Sequence, residues 1–571
     1  MIELLRRLLI RPGLCAELLL ASLFANLLAL ATPLFAIQVL NRYVAHGVNA
    51  TLTTLASGAI IAIVLEFGFR QVRNRLARGV SIRPDEQTAL AAYGSLTGAK
   101  SAALDRLPPG QQREILSGVD HIRNAYSAQN ISTVLDLPFA ILFLGVLFFL
   151  SPTLGVVTAG FAVAAFLVSM ALTSRQRNPT RQLMDESRRS GLMIGSAIQQ
   201  GDTVRAFNAG GFLARAWALQ NRKSQDVYRT LVGRQGLLAS FSQGLVAFLS
   251  VVVMGLGAIL VVRGELDIGA LIGANILAAR AVQPISRFAQ LGEPFLKARQ
   301  AAEQLRDFIR LPRELDTGSA KSNYQGGIEF RDVSFLHPGA SGPLFESFNA
   351  VVPPGTICVV SGANGAGKST LARLIAGLIE PNRGQILVDG LELRQVVPEW
   401  WRKQLVYLPQ EPSFLNATIE ENLKIMNPDL DDAAMNAAID AVGLRHFIDE
   451  TSQGFSTPII NGGSQLSVGI RRRLALARAL TTDGCLVVLD EPTEGLDSKG
   501  MQDISQVVTD LHKRGRTVIA LSHNPNIISN AQVVIDLNSK PAPKVMTVAH
   551  SAALPDEELV SVDVSAGEPT S

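Results

Sequence analysis

Six long apolar runs, all before residue 290, constrain this 571-residue chain more than any other feature. A helix that crosses the hydrocarbon core of a bilayer needs about 20 predominantly apolar residues. Runs of that kind occupy Leu14–Val39, Leu52–Phe69, Ile131–Leu150, Thr153–Leu172, Leu237–Val262 and Ile268–Phe288. One such run could be a buried core helix, but six with basic residues gathered at alternate ends read as spans. Arg6, Arg7 and Arg11 precede the first, and Arg70, Arg73, Arg75 and Arg78 follow the second. Arg175, Arg177 and Arg181 follow the fourth, and Arg222, Lys223, Arg229 and Arg234 precede the fifth. By the positive-inside rule both termini are expected in the cytoplasm. The first twelve residues lead into a run too long for a signal h-region, so no cleavable signal is expected.

Composition agrees with this division. Only 18% of residues are charged, against roughly 25% in soluble domains, and the apolar excess lies in the first half. The net charge of +3 comes largely from arginines flanking spans, not from a basic groove, which argues against a nucleic-acid enzyme. Cys15, Cys358 and Cys485 are odd in number and widely separated, so neither a disulfide framework nor a metal site is expected. The gaps 70–130 and 173–236 are too long for simple loops. Their helical periodicity predicts paired helices reaching on the order of 40 Å into the cytosol, with turns at Pro108–Pro109–Gly110 and Gly210–Gly211. Arg280 lies in the sixth span, four residues before Pro284, which is expected to kink the helix. Arg280 either lines a translocation path, or pairs with Glu66 or Asp136, or snorkels to the interface.

After residue 310 the pattern changes. Residues 311–327 read as a linker, 328–540 as a soluble domain, and the acidic, Pro/Ser/Ala-rich stretch 541–571 as a disordered tail. Short β-rich runs at Ile328–Phe335, Thr356–Val360, Gly384–Val388, Leu405–Leu408, Leu486–Leu489 and Arg516–Leu521 alternate with helical segments, which predicts a parallel α/β sheet. The second of these enters Gly362-Ala-Asn364-Gly365-Ala-Gly367-Lys368-Ser369-Thr370, a P-loop between a strand and a helix. Its glycines let backbone N–H groups approach phosphate oxygens, Lys368 reaches the β- and γ-phosphates, and Ser369 ligates Mg²⁺. Asp490-Glu491 ends a second buried strand, where an acidic pair is costly unless used. Asp490 is expected to hold Mg²⁺, and Glu491 to orient and deprotonate the attacking water. His523, ending a third strand, is placed to contact the γ-phosphate.

These motifs resemble the nucleotide-binding domain of ABC transporters, and the fold they imply is six transmembrane helices fused to an α/β P-loop ATPase domain. Leu408-Pro409-Gln410 stands at the Q-loop, Glu494-Gly495-Leu496-Asp497 at the D-loop, and His523 at the switch histidine. The resemblance implies ATP binding across Gly362, Asn364, Gly365, Gly367, Lys368, Ser369, Thr370 and Gln410, with Gln410 joining Ser369 and Asp490 on Mg²⁺, and with His337 at the adenine-stacking position. It implies a dimer with a second copy or a related half-transporter, each ATP being closed by the other subunit's Ser467 and Gly469, with Asp497 beside them. Leu135-Asp-Leu-Pro-Phe-Ala-Ile-Leu-Phe-Leu and the stretch from Gly264 to Pro284 are similar to type I secretion ATPases of Gram-negative bacteria, in the protease- and adhesin-exporting branch. That subfamily implies an inner-membrane exporter of unfolded polypeptide, partnered by a periplasmic adaptor and an outer-membrane channel. Only about a dozen residues precede the first span, so no leader-processing peptidase is expected.

The sequence departs from the family at several positions. The signature Leu-Ser-Gly-Gly-Gln stands here as Leu466-Ser467-Val468-Gly469-Ile470, a tyrosine is replaced by His337, and Asn461 stands where exporters usually carry glutamate. Ser467 and Gly469 are expected at the start of a helix over Ile470–Leu480, and Arg471-Arg472-Arg473 on its charged, solvated face. The leading expectation is an ATP-driven polypeptide exporter. The alternatives are export of lipid or drug-like molecules, or an ATP-dependent switch if the altered signature cripples hydrolysis.

Overall fold

All six apolar stretches are helical in the computed structural model, which describes residues 2–44, 49–321 and 323–547. The chain divides into two compact units, Met1–Ala99 with Ala103–Pro312 and Lys100–Ala102 with Arg313–Ser571.

In the first unit the spans lie within longer helices, Pro12–Val44, Ala50–Gly98, Ala128–Leu150, Pro152–Gln199, Gly210–Val262 and Ile268–Ile309. The helix Asn49–Gly98 runs for 50 residues, about 75 Å at 1.5 Å per residue. Both anticipated turns fall slightly elsewhere. Pro109 and Gly210 are the first residues of the returning helices, and proline suits that first position because its missing N–H has no partner there in any case. The turns themselves are 99–108 and 200–209, each holding a one- to two-turn helix, Ser101–Leu104 and Gly201–Ala206. Pro284 does not end the sixth helix, which runs from Ile268 to Gln290 and breaks at Leu291.

The spans are apolar on the outside. Ile60, Val64, Phe149 and Val262 are 61%, 63%, 97% and 88% exposed, as a lipid-facing surface requires. Inside, Leu147, Leu154, Leu249 and Val253 pack on Ala274, Ala278 and Ala281 of the sixth helix. These small residues let backbones approach closely where the hydrophobic effect cannot drive association. Arg7 is one of the arginines that precede the first span. It is buried, bonds Asp85 Oδ1 at 2.9 Å and lies 4.1 Å above the Tyr126 ring, fixing the N-terminal helix Ile2–Leu9.

The second unit is more varied than the single parallel sheet expected. β1 (Ile328–Phe335), β2 (Phe345–Val352), β4 (Arg383–Val388) and β5 (Leu391–Glu392) form an antiparallel sheet ordered β2-β1-β4-β5. β3 (Ile357–Ser361), β6 (Leu405–Leu408), β9 (Leu486–Asp490), β10 (Thr517–Leu521), β11 (Val533–Asp536) and β12 (Lys544–Thr547) form a second sheet, ordered β12-β11-β3-β10-β9-β6. It is parallel except for β12. β7 (Ala417–Thr418) and β8 (Pro458–Ile459) make a small ribbon. Two expected strands, β1 and β4, thus belong to the antiparallel layer. Lys544–Thr547, read in the sequence as tail, pairs with β11, and the rest of that tail, 548–571, lies outside the described residues.

β9 and β10 are buried at every position because helices cover both faces of the sheet. Their parallel register aligns Asp490 with Leu521, and Leu521 with Val360 of β3. The P-loop, the acidic pair and Ser522-His523 therefore leave the sheet along one edge, the carboxyl ends of the strands, where open α/β sheets bind ligands.

Candidate nucleotide-hydrolysing site

From Ser361 the chain turns through 362–367 into the helix Lys368–Ile375. Glycine is required twice in this turn, where Gly365 and Gly367 have φ of +81° and +110°. A Cβ on Gly367 would also stand 2.7 Å from Leu344 Cδ2. Asn538 Oδ1 braces the loop by accepting from Ala363 N at 2.8 Å, and exposed Asn364 lies at its outer side.

Lys368 is buried, and its Nζ donates to Gly362 O at 2.7 Å and meets Glu491 Oε1 at 2.9 Å. Ser369 Oγ donates to Gln410 Oε1 at 2.9 Å, so the P-loop and the Q-loop residue touch directly. Asp490 is 2% exposed, and its Oδ1 is buried with no hydrogen-bond partner among the described residues. Burial pushes its carboxyl above the ordinary range. The Ser369 hydroxyl opposes this, the Glu491 carboxylate adds to it, and Lys368 and Arg472 oppose it. An orphaned carboxylate oxygen near a hydroxyl and an amide oxygen is a hard, all-oxygen donor set, so these three residues fit a divalent cation such as Mg²⁺.

Glu491 holds a left-handed backbone, φ +47°, pinned by its own N–H donating to Leu521 O at 2.8 Å. Its carboxylate is 3.2 Å from His523 Nδ1. The histidine side chain is 72% exposed, and that of the glutamate 5%. A buried carboxylate touching both a lysine and a solvent-facing imidazole can accept a proton from a water held between them and pass it outward.

His337 is exposed at the end of β1, edge-on to Phe335 with ring centroids 4.9 Å apart, and its Nε2 is 3.2 Å from Thr370 Oγ1. The remaining expected residues lie apart from this cluster and support their own helices. Ser467 Oγ accepts from Ile470 N at 3.3 Å and caps the helix Val468–Leu480, which starts two residues before the expected Ile470. Val468 is 52% exposed, and a Cβ on Gly469 would stand 3.6 Å from Leu496 Cδ2, so nothing within the chain demands glycine there. Ile470 packs against the helical core, which accounts for its apolar character. Asp497 Oδ1 accepts from Gly500 N at 2.9 Å and caps the helix Ser498–Lys513. Asn461 has φ +49°, and its N–H donates to Asn416 Oδ1 at 2.9 Å. Arg280 is half-buried in the sixth span and makes no ion pair among the described residues. Both partners considered for it are engaged elsewhere, Glu66 with Arg70 and Asp136 with Arg73, each at 2.6 Å.

One residue of the site was misread in the sequence. Arg472 is not on a solvated face but 4% exposed. Its Nη2 donates to Gln410 O at 2.7 Å and meets Glu494 Oε2 at 3.2 Å, while Nη1 donates to Glu494 O. It ties the Q-loop to the D-loop. The middle position of three arginines, flanked by apolar residues at helical spacing, was the only signal available.

Comparison with known proteins agrees with this geometry. The family model for the ABC transporter transmembrane region matches residues 15–285, and a second one, for the ABC transporter, matches residues 345–494. The chain is 28% identical over 530 residues to the leukotoxin export ATP-binding protein of Aggregatibacter actinomycetemcomitans, covering 91% of this chain and 73% of the relative. It is also 28% identical over 529 residues, with the same coverage, to the alpha-hemolysin translocation ATP-binding protein of Escherichia coli. In fold it is similar to a bacterial Atm1-family ABC exporter solved with ATP bound, with a TM-score of 0.78, 22% identity and 94% of each chain covered. With six spans, a P-loop, an acidic strand end and a facing histidine in one polypeptide, the chain is an ABC exporter half-transporter, an ATP-hydrolysing membrane protein.

Proposed function

We propose that this half-transporter is the ABC subunit of a type I secretion system, driving polypeptide across the bacterial inner membrane. The observation that carries the reading is the similarity, over 91% of the chain, to proteins that export leukotoxin and translocate alpha-hemolysin. In this reading both termini and the ATPase domain face the cytoplasm. The subunit pairs with a second copy or a related half-transporter, and the pair docks a periplasmic adaptor and an outer-membrane channel. Arg280, half-buried in a span with no ion pair among the described residues, suits a path for polar cargo.

At the ATPase site, backbone N–H groups from Gly362 to Gly367 and the Lys368 ammonium receive the phosphates of ATP, whose adenine stacks on His337. Ser369, Gln410 and Asp490 would hold Mg²⁺, which when bound neutralises charge on the β- and γ-phosphates. Glu491 orients the attacking water and takes its proton, and His523 contacts the γ-phosphate while holding the glutamate's outer oxygen. Ser467 and Gly469 of the partner subunit close the site.

Inverted membrane vesicles carrying the full chain test this reading. They should protect an unfolded polypeptide from added protease in an ATP-dependent manner, and Glu491→Gln should abolish the protection. Vesicles that accumulate lipid or drug-like molecules but no polypeptide would overturn the reading.

A further inference from the structure

The first unit holds a cavity of about 810 Å³ that none of the ATPase residues lines. Its walls come from the N-terminal helix Ile2–Leu9, from Arg177–Gln199 and the turn before it, and from Gly292–Ile309. Two observations point to a ligand. Its lining holds six arginines against three glutamates, and Arg6, Arg181, Arg306 and Arg310 form no ion pair among the described residues. The lining glutamates do have partners. Glu3 lies 3.8 Å from Arg7, Glu293 2.8 Å from Lys297 and Glu303 3.0 Å from Arg299. The second observation is a pair of orphaned amides. Gln176 is 4% exposed, and its Nε2 has no acceptor; Gln300 also lines the cavity, and its buried Oε1 has no donor among the described residues. Both are unpaired polar groups of residues in the cavity wall, and an unpaired buried polar group is costly.

We propose that this cavity binds an acidic segment of extended polypeptide. The four free guanidinium groups supply charge for carboxylates. The amides favour a peptide over a bare phosphate. Gln176 Nε2 offers a donor and Gln300 Oε1 an acceptor, which match the C=O and N–H of a peptide backbone. An ionised phosphate group itself has no proton for Gln300, whereas each peptide unit carries an N–H beside its C=O. Phe295, Leu296 and Ile309 add apolar wall for intervening side chains. This inference rests on the polypeptide-export reading and names the chemistry that the exporter selects.

The test uses full-length protein in nanodiscs of neutral lipid and three fluorescent ten-residue probes, Glu/Ala, Gln/Ala and Lys/Ala. Fluorescence anisotropy and ATPase stimulation are both recorded. The Glu/Ala probe should bind most tightly. The double variant Arg181→Glu/Arg306→Glu should weaken it about tenfold or more and favour the Lys/Ala probe, as expected for reversing exposed charges. Gln176→Leu should weaken the Glu/Ala and Gln/Ala probes alike, a loss that charge alone does not explain. Equal binding of all three probes, unchanged by these variants, overturns the acidic site while leaving polypeptide export standing. If no probe binds or stimulates ATPase, the export reading fails as well. Displacement of the Glu/Ala probe by vesicles rich in phosphatidylglycerol, but not by unlabelled peptide, assigns the cavity to lipid and overturns the proposal.

Discussion

Replacing Arg472 with methionine tests whether the Q-loop and D-loop are joined from beneath. The guanidinium donates to two backbone carbonyls, Gln410 O and Glu494 O, and is 4% exposed. Hydrogen bonds from a charged donor are worth about 1.5–3 kcal/mol each, so the gross loss is about 3–6 kcal/mol. Methionine fills similar volume and removes the desolvation cost of a buried cation, which offsets several kcal/mol. A net destabilisation of about 2 kcal/mol remains, equivalent to a fall in Tm of about 4–8 °C for a domain of this size. Function should move too, because Gln410 carries both the carbonyl that Arg472 holds and the amide oxygen that Ser369 touches at 2.9 Å. Thermal unfolding of the purified full chain, together with ATPase rates across a Mg²⁺ titration, measures both effects. The Mg²⁺ concentration for half-maximal rate should rise several-fold, and Arg472→Lys should fall between wild type and methionine, since an ammonium lacks the planar fork. A methionine variant that unfolds within about a degree of wild type, with an unchanged Mg²⁺ curve, would refute the reasoning and return Arg472 to a solvated helix face.

Three further outcomes are expected. Glu491→Gln should lower phosphate release by at least about a hundredfold while nucleotide binding, followed by a fluorescent ATP analogue, stays near wild type; near-normal hydrolysis would sink the assigned role. Val468→Gly with Ile470→Gln should raise basal ATPase, at a cost of about 1 kcal/mol in stability because Ile470 packs on the helical core; an unchanged rate would show the altered signature to be neutral. Asp490 is protonated more readily folded than unfolded, so its ionised form opposes folding, and its contribution to stability falls as pH rises from the ordinary carboxyl range through its raised folded value. Asp490→Asn without nucleotide should therefore raise Tm at neutral pH, with the gain shrinking as pH falls through the raised folded value toward about 4, and should impair hydrolysis; a pH-independent difference would contradict this.

What the sequence made legible was local. A span announces itself by composition, and a P-loop by spacing between a strand and a helix, so both could be read without tertiary contacts. The antiparallel placement of β1 and β4 could not, because strand direction depends on partners that short apolar runs do not encode. Arg472 was missed for a related reason: its contacts lie 62 and 22 residues away, at Gln410 and Glu494. The turn at Pro108–Pro109–Gly110 was placed a few residues late because a proline that opens a helix and one that ends a loop look alike in sequence. His337 and Thr370 stand 33 positions apart, yet the resemblance brought both into the site, and the structure sets them 3.2 Å from each other.

Ser467, assigned above to closing the nucleotide between subunits, and Asp497, placed beside it at the D-loop, also hold the first turns of their own helices, Val468–Leu480 and Ser498–Lys513. An alanine at either position therefore removes two things together, a contact across the dimer and a cap worth about 1 kcal/mol. Slow turnover in such a variant cannot be assigned to the lost cross-subunit contact, because a frayed helix start displaces neighbouring backbone as well. Substitutions that still accept the same backbone N–H, such as Ser467→Asp or Asp497→Asn, keep the helix start intact while changing the charge offered across the interface. At these two positions it is the capping replacements, rather than the customary truncation, that isolate communication between the two halves of the transporter.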